Sequence, residues 1–307
     1  MKHICPVIAG PTAVGKTGLI LSLAEQFPVE VISLDSRQIY KGMRIGTAQP
    51  SDLEQAACTH HLIDFLSPDE TYSAQAFRND FCIIHKEITD RGNLPILVGG
   101  AGMYLTVLKN GLLEIPQDDT GDVRKQLDDL SDSQIRTNLE KVDSESFHRI
   151  HPNDRYRSQR ALEIFKLTGK TMSQLISNQT PDPALGLEYP LLFLNRERSE
   201  LHQRIAQRTN VMLQSGWIEE TAGLLENHSA TSPGLRSIGY REIAMSLSNE
   251  LEKDSLSERI IEVTRQYAKR QITWFKAQPQ FMSCSPDDSE SLSRFTELIS
   301  TALSEQS

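Results

Sequence analysis

The 307-residue chain is long enough for one large or two modest domains with a sizeable core, and its 38% hydrophobic and 24% charged residues are ordinary for a soluble globular protein. A formal net charge of −9 argues against a uniformly basic nucleic-acid binder but permits a local basic surface. No basic leader followed by an apolar stretch opens the chain, and no run of about 18 apolar residues occurs, so neither export nor membrane spanning is expected.

The first apolar run, residues 4–9, reads as a short buried strand. It leads into Gly-Pro-Thr-Ala-Val-Gly-Lys-Thr at 10–17, which fills every fixed position of the phosphate-cradling pattern GxxxxGK[ST]. A helical stripe over 16–26 follows. Successive loop amides and the positive end of that helix converge on phosphate oxygens. Lys16 supplies a mobile charge and Thr17 a hydroxyl for Mg²⁺. A diphosphate or triphosphate is expected here, without indication of which bond is broken.

A second strand is expected over 29–34, followed by Asp35-Ser36-Arg37-Gln38. A carboxylate at a strand's carboxyl end faces the same cleft as the P-loop. Asp35 is therefore either a base or metal-water ligand, or a helix N-cap. The loop 40–47 continues along that edge, where Lys41 and Arg44 could equally be surface charges. Cys5, Cys58, Cys82 and Cys284 form no C-x-x-C pair and read as free thiols of a reducing cytoplasm. His60 and His61 lack Cys, Asp or Glu at ligand spacing and make a weak metal site.

A helix over 73–91 and a strand over 94–98 precede Gly99-Gly100-Ala101-Gly102, where a ligand or another backbone can approach closely. Apolar strands alternating with longer amphipathic segments predict a parallel α/β sheet covered on both faces. After Gly111 the composition shifts. Residues 117–145 carry nine acidic and four basic side chains, and 149–170 carry six basic and two acidic ones. Arg155, Arg157 and Arg160, with Arg149 upstream, suit the phosphates of a polyanion or form a solvated, ion-paired face with Asp154 and Glu163.

Residues 191–194 return to the sheet. Helical patterns follow over 199–225, with a break marked by Gly216, and over 257–277, limited by Pro279. The last of these interleaves Lys269 and Arg270 with Tyr267, Trp274 and Phe275. This composition serves RNA backbone and base stacking, or an amphipathic core helix, and both are expected to hold. The organisation predicted is a P-loop core over 1–114, a mostly helical insertion over 115–185, a second part of the core over 186–280, and an acidic, mobile tail over 281–307.

Together these segments resemble the bacterial tRNA dimethylallyltransferase (tRNA isopentenyltransferase) family. The matching pieces are GPTAVGKT at 10–17, ISLDSRQIYKGMRIGTAQP at 32–50, HHLIDFLSPDETYSAQAFRND at 60–80 and LPILVGGAGMYL at 94–105. They continue as HPNDRYRSQRALEIFKLTGK at 151–170, RSIGYRE at 236–242 and TRQYAKRQITWF at 264–275. The resemblance implies dimethylallyl transfer from dimethylallyl diphosphate to N6 of adenine 37 in tRNAs reading codons that begin with U. It also implies Mg²⁺, a helical insertion gripping the anticodon stem-loop, a monomer binding one tRNA, and no membrane.

By the same resemblance Gly10, Thr12, Ala13, Val14, Gly15, Lys16 and Thr17 cradle the diphosphate, and Thr17 helps place Mg²⁺. Asp35 acts as general base, with Lys16 and Arg236 stabilising the leaving group. Ser36, Gln38, Arg155, Arg157, Arg160, Lys269 and Arg270 position RNA. The chain departs from the family at Val14, usually Ser, at Gln49, usually Lys, and at Ala101, usually a Thr that contacts the reacting end of the site. The alternatives are a small-molecule kinase or ATPase sharing the loop, and a tRNA-binding homologue weakened by Ala101.

Overall fold

Val, Ile and Leu cluster in the short runs that form a six-stranded sheet. In this computed structural model, which describes residues 3–113, 115, 121–278 and 282–306, the strands are β1 (Val7–Ala9), β2 (Val29–Leu34), β3 (His60–His61), β4 (Leu94–Gly99), β5 (Leu191–Leu194) and β6 (Met282–Cys284). Their order is β3-β2-β4-β1-β5-β6, and every pairing is parallel. All carboxyl ends therefore lie along one edge. The expected strand at 4–9 is shorter, because Pro6 has no N–H to donate; Ile4 makes only an isolated bridge to Glu188.

The helices are α1 (Lys16–Ala24), α2 (Asp52–Ala57), α3 (Ala74–Asp90), α4 (Gly102–Asn110), α5 (Asp122–Asp128), α6 (Asp132–Val142), α7 (Ser144–Arg149), α8 (Arg155–Thr168), α9 (Met172–Ser177), α10 (Arg198–Gln214), α11 (Trp217–Leu225), α12 (Tyr240–Leu247), α13 (Leu256–Lys276) and α14 (Ser289–Gln306). Alternation along the strands supplies both faces of the sheet. Val7, Ala9, Leu191 and Phe193 pack with Phe77 and Phe81 of α3, Leu105 of α4 and Phe275 of α13. Ile8, Leu192 and Leu194 pack with Ile20 of α1 and Phe295 and Ile299 of α14. A third cluster joins Ile39, Tyr40 and Met43 to Trp217, Tyr240 and Ile260.

The chain divides into two units, one of Met1–Lys109 with Pro183–Ser307 and one of Asn110–Asp182. The second unit has its own core of Leu127, Ile135, Leu139, Ile150, Ala161 and Leu162. The expected joint at 114 and the acidic pair at 118–119 lie outside the described residues, as do Pro279 and residue 281. Gly216 breaks the 199–225 pattern at φ 97, a backbone state that suits glycine.

The acidic tail differs from expectation. Instead of a mobile segment, β6 pairs with β5, and α14 buries Phe295 (4% exposed) and Ile299 (0%). Charge dominated the reading of that stretch, but Leu292, Phe295, Ile299 and Ala302 recur at helical spacing and supply a core-facing stripe.

Candidate functional site

At the carboxyl edge of the sheet a cavity of about 750 Å³ opens between the P-loop, the Asp35 turn, the end of β4, α10 and α13. The P-loop is tightly held. Gly10 sits against β5, where a Cβ would lie 2.6 Å from the Leu194 carbonyl oxygen. Gly15 takes φ 114 and opens α1. Lys16 Nζ donates to the Gly10 and Pro11 carbonyls at 2.9 and 3.1 Å. Burial pushes the Lys16 ammonium down to about 8; the Arg208 charge adds to that shift and Asp35 opposes it.

Three arginines that sequence reasoning missed grip the loop from its other side. Arg196 Nε donates to the Val14 carbonyl at 2.9 Å, Arg204 Nε to the Ala13 carbonyl at 2.9 Å, and Arg208 Nη1 to Thr12 Oγ1 at 3.4 Å. Burial lowers the Arg208 guanidinium, with Asp35 opposing the shift. Arg204 and Arg208 stand four apart on the helix after β5, so they share a face, but that spacing alone does not say that the face meets the P-loop. Gln271 was also overlooked within its motif. Its Oε1 accepts from Thr12 N at 3.0 Å and its Nε2 donates to the Gly100 carbonyl at 3.2 Å, joining the P-loop to the glycine-rich turn.

Asp35 caps a turn and not a helix, since the next helix begins at Asp52. Its Oδ1 caps the turn, accepting from Arg37 N at 2.7 Å and Gln38 N at 3.3 Å, while the residue lines the cavity. Its charge reaches Lys16, Arg208 and the phenols of Tyr104 and Tyr267, which burial has already raised. Gln38 braces the wall: its Nε2 donates to the Thr47 and Ala48 carbonyls at 3.3 and 2.9 Å and its Oε1 accepts from Ser33 Oγ.

Among the sequence-derived site residues, Thr12, Ala13, Val14, Gly15, Lys16, Thr17, Asp35, Ser36, Gln38, Arg236 and Arg270 line this one cavity. Arg236 is exposed, with no side-chain partner among the described residues. Arg270 stands 5.8 Å from the Tyr267 ring. Gly10 lies behind the loop, and Lys269 is exposed on α13. Trp274 is structural, its ring filling the space a Cβ on Gly102 would need. Ala101 packs against the core, donates its N–H to the Leu34 carbonyl and immediately precedes α4.

In the second unit, Arg155 is spent on internal bonds to Asp132 and to the Leu127, Asp128 and Leu130 carbonyls. Arg160 pairs with buried Glu163 at 2.7 Å. Arg157, 72% exposed, makes only a 3.5 Å side-chain contact with Asp154 among the described residues.

Residues 38–278 match the model of the IPP transferase family. A tRNA dimethylallyltransferase of Hydrogenovibrio crunogenus is 42% identical over 93% of this chain and 90% of its own. The chain belongs to the tRNA dimethylallyltransferase family. It transfers a dimethylallyl group to adenine 37 of tRNA, which sets aside the kinase, ATPase and noncatalytic alternatives. A full-length tRNA isopentenylpyrophosphate transferase of Bacillus halodurans superposes with a TM-score of 0.71 at 32% identity, covering 99% of this chain and 98% of that one. A eukaryotic dimethylallyltransferase, solved acting on tRNA, gives a TM-score of 0.82 at 29% identity over 97% of this chain and 80% of its own. Among the described residues no helix is long and apolar enough to cross a membrane.

Proposed function

We propose that the cavity holds dimethylallyl diphosphate by its diphosphate on the P-loop, with adenine 37 extruded from the tRNA anticodon stem-loop against Asp35. Extrusion exposes an exocyclic amine that stacking would otherwise bury. N6 attacks C1 of the dimethylallyl group, the C1–O bond breaks, diphosphate leaves with the bond's electron pair, and Asp35 takes the N6 proton. An adenine amine is a poor nucleophile, so both orientation and proton removal contribute. The observation that carries the reading is the presence of Asp35 and the Lys16–Thr17 end of the P-loop in one cavity.

Lys16 would leave the Gly10 and Pro11 carbonyls for the diphosphate. Arg208 and Arg236 line the same space and add charge where the oxyanion develops. The donor set suits Mg²⁺. Among the described residues no three His, Cys, Asp or Glu side chains gather as a cage, and Mg²⁺ is ordinarily held by few protein oxygens together with water and substrate phosphate. Thr17 would hold it with the diphosphate and water. When bound, Mg²⁺ supplies further positive charge against the leaving oxygen.

Ser36, Gln38 and Arg270 would meet the RNA within the cavity, and Lys269 outside it. Of the three arginines on α8, Arg157 has the most open guanidinium for a phosphate, with Arg155 and Arg160 shaping the helix. The resemblance supports a monomer acting on tRNAs that read codons beginning with U. Four free cysteines fit a cytoplasmic setting. The test incubates the protein with Mg²⁺, isotopically labelled dimethylallyl diphosphate and an unmodified tRNA carrying A36-A37-A38. Label on adenine 37 is expected; its absence under conditions that support a known family member would refute the reading.

A further inference from the structure

A carboxylate behind the cavity wall organises the loop that forms it. Glu220, in the first turns of α11, accepts four hydrogen bonds. Its Oε2 takes the Arg44 and Ile45 amides at 2.9 and 2.8 Å, and its Oε1 takes the Gly46 amide at 3.3 Å and the Tyr240 hydroxyl at 2.6 Å. Three consecutive backbone amides converging on one anion form a nest, in which the anion sets the loop's shape. Tyr240 reinforces it, its hydroxyl oxygen also accepting from Gly46 N at 3.1 Å.

Packing fixes the same point. The Trp217 ring, 3% exposed, wedges between two glycines. A Cβ on Gly46 would lie 2.0 Å from its Nε1, and one on Gly239 2.0 Å from its Cη2. The loop so clamped delivers Gly46, Thr47 and Ala48 to the cavity wall. From there the connection runs inward. Gln38 holds the Thr47 and Ala48 carbonyls through its side chain, and its own amide donates to Asp35 Oδ1. Gln49 Nε2 closes the circuit on the Gln38 carbonyl at 2.8 Å.

We propose that Glu220 is a positioning residue for prenyl transfer, holding the 44–48 loop and, through Gln38, the Asp35 turn in the geometry that receives the adenine. This inference rests on Asp35 being the general base. A glutamine at 220 offers one acceptor oxygen and turns an NH₂ toward backbone N–H groups that need an acceptor. The diphosphate end of the cavity is held separately, by Arg196, Arg204, Arg208 and Gln271.

The test is a double-mutant cycle of Glu220→Gln and Asp35→Asn, read by single-turnover transfer to tRNA, with the dissociation constant of dimethylallyl diphosphate as a control. Glu220→Gln is expected to slow transfer about tenfold or more and leave diphosphate affinity within about twofold. Tyr240→Phe, which removes one donor of the four, should move transfer in the same direction by less, and Glu220→Asp should recover part of the loss. In the Asp35→Asn background Glu220→Gln should cost little more. Unchanged transfer in Glu220→Gln would overturn the proposal, as would losses that multiply or a parallel collapse of diphosphate affinity. If Asp35→Asn alone transfers at the parent rate, the general-base reading fails instead.

Discussion

Lys16 is the P-loop's mobile charge, and in this fold its ammonium is held down to about 8. In the proposed role it carries its proton to neutralise diphosphate, and the charged fraction of the free protein falls as pH rises through that value. The kcat/KM for dimethylallyl diphosphate should therefore decline above about pH 8, since that ratio reports groups of the free enzyme. With the anion bound, the ammonium's pKa rises and the limb in kcat should appear at higher pH. A pH–rate profile checks both. Ala101 immediately precedes α4, the position from which a threonine hydroxyl accepts from an amide of the helix's first turn. Ala101→Thr should stabilise the protein by about 1 kcal/mol in denaturant unfolding. It should change turnover by less than about tenfold, because one neutral hydrogen bond is worth only about 0.5–1.5 kcal/mol.

At the scale of elements, the amino-terminal end of β2, the end away from Asp35, carries an ionic cluster around buried Glu30. Burial tends to raise the Glu30 carboxyl, but bonds from Arg91, His61 and Asn93 hold it at about 2. A depressed carboxyl contributes stability above its ordinary value near 4.5 and loses it as pH falls toward 2. Glu30→Gln should therefore lower stability at neutral pH by about 3 kcal/mol and flatten the acid limb of unfolding between those values. None of this was legible in the sequence, since the partners come from the turns after α3 and from β3. The strands after which ligand loops sit were legible, because buried parallel strands read as apolar runs and the P-loop marks a strand end. Asp35 was legible for the same reason. Arg208, Gln271 and Glu220 were not singled out, because their roles depend on which helix face meets the sheet edge, a tertiary fact that local spacing alone does not supply.

For the whole molecule, the tail is the clearest lesson. Its acidity favoured a mobile reading, yet β6 and α14 complete the sheet and one face of the core. Removing residues 281–307 should uncover that face and lower the thermal midpoint by roughly 10 °C or more. A truncated chain melting with the parent would show the tail to be dispensable. The central claim remains that, in one cavity, the P-loop holds the diphosphate of the prenyl donor while Asp35 takes the proton of the attacking adenine. Asp35→Asn tests it most directly, because asparagine keeps the Oδ1 acceptor that caps the turn and removes only the base. Single-turnover transfer of labelled dimethylallyl to tRNA should fall about 10²–10⁴-fold, with affinities for tRNA and dimethylallyl diphosphate retained. Transfer at the parent rate would contradict the account.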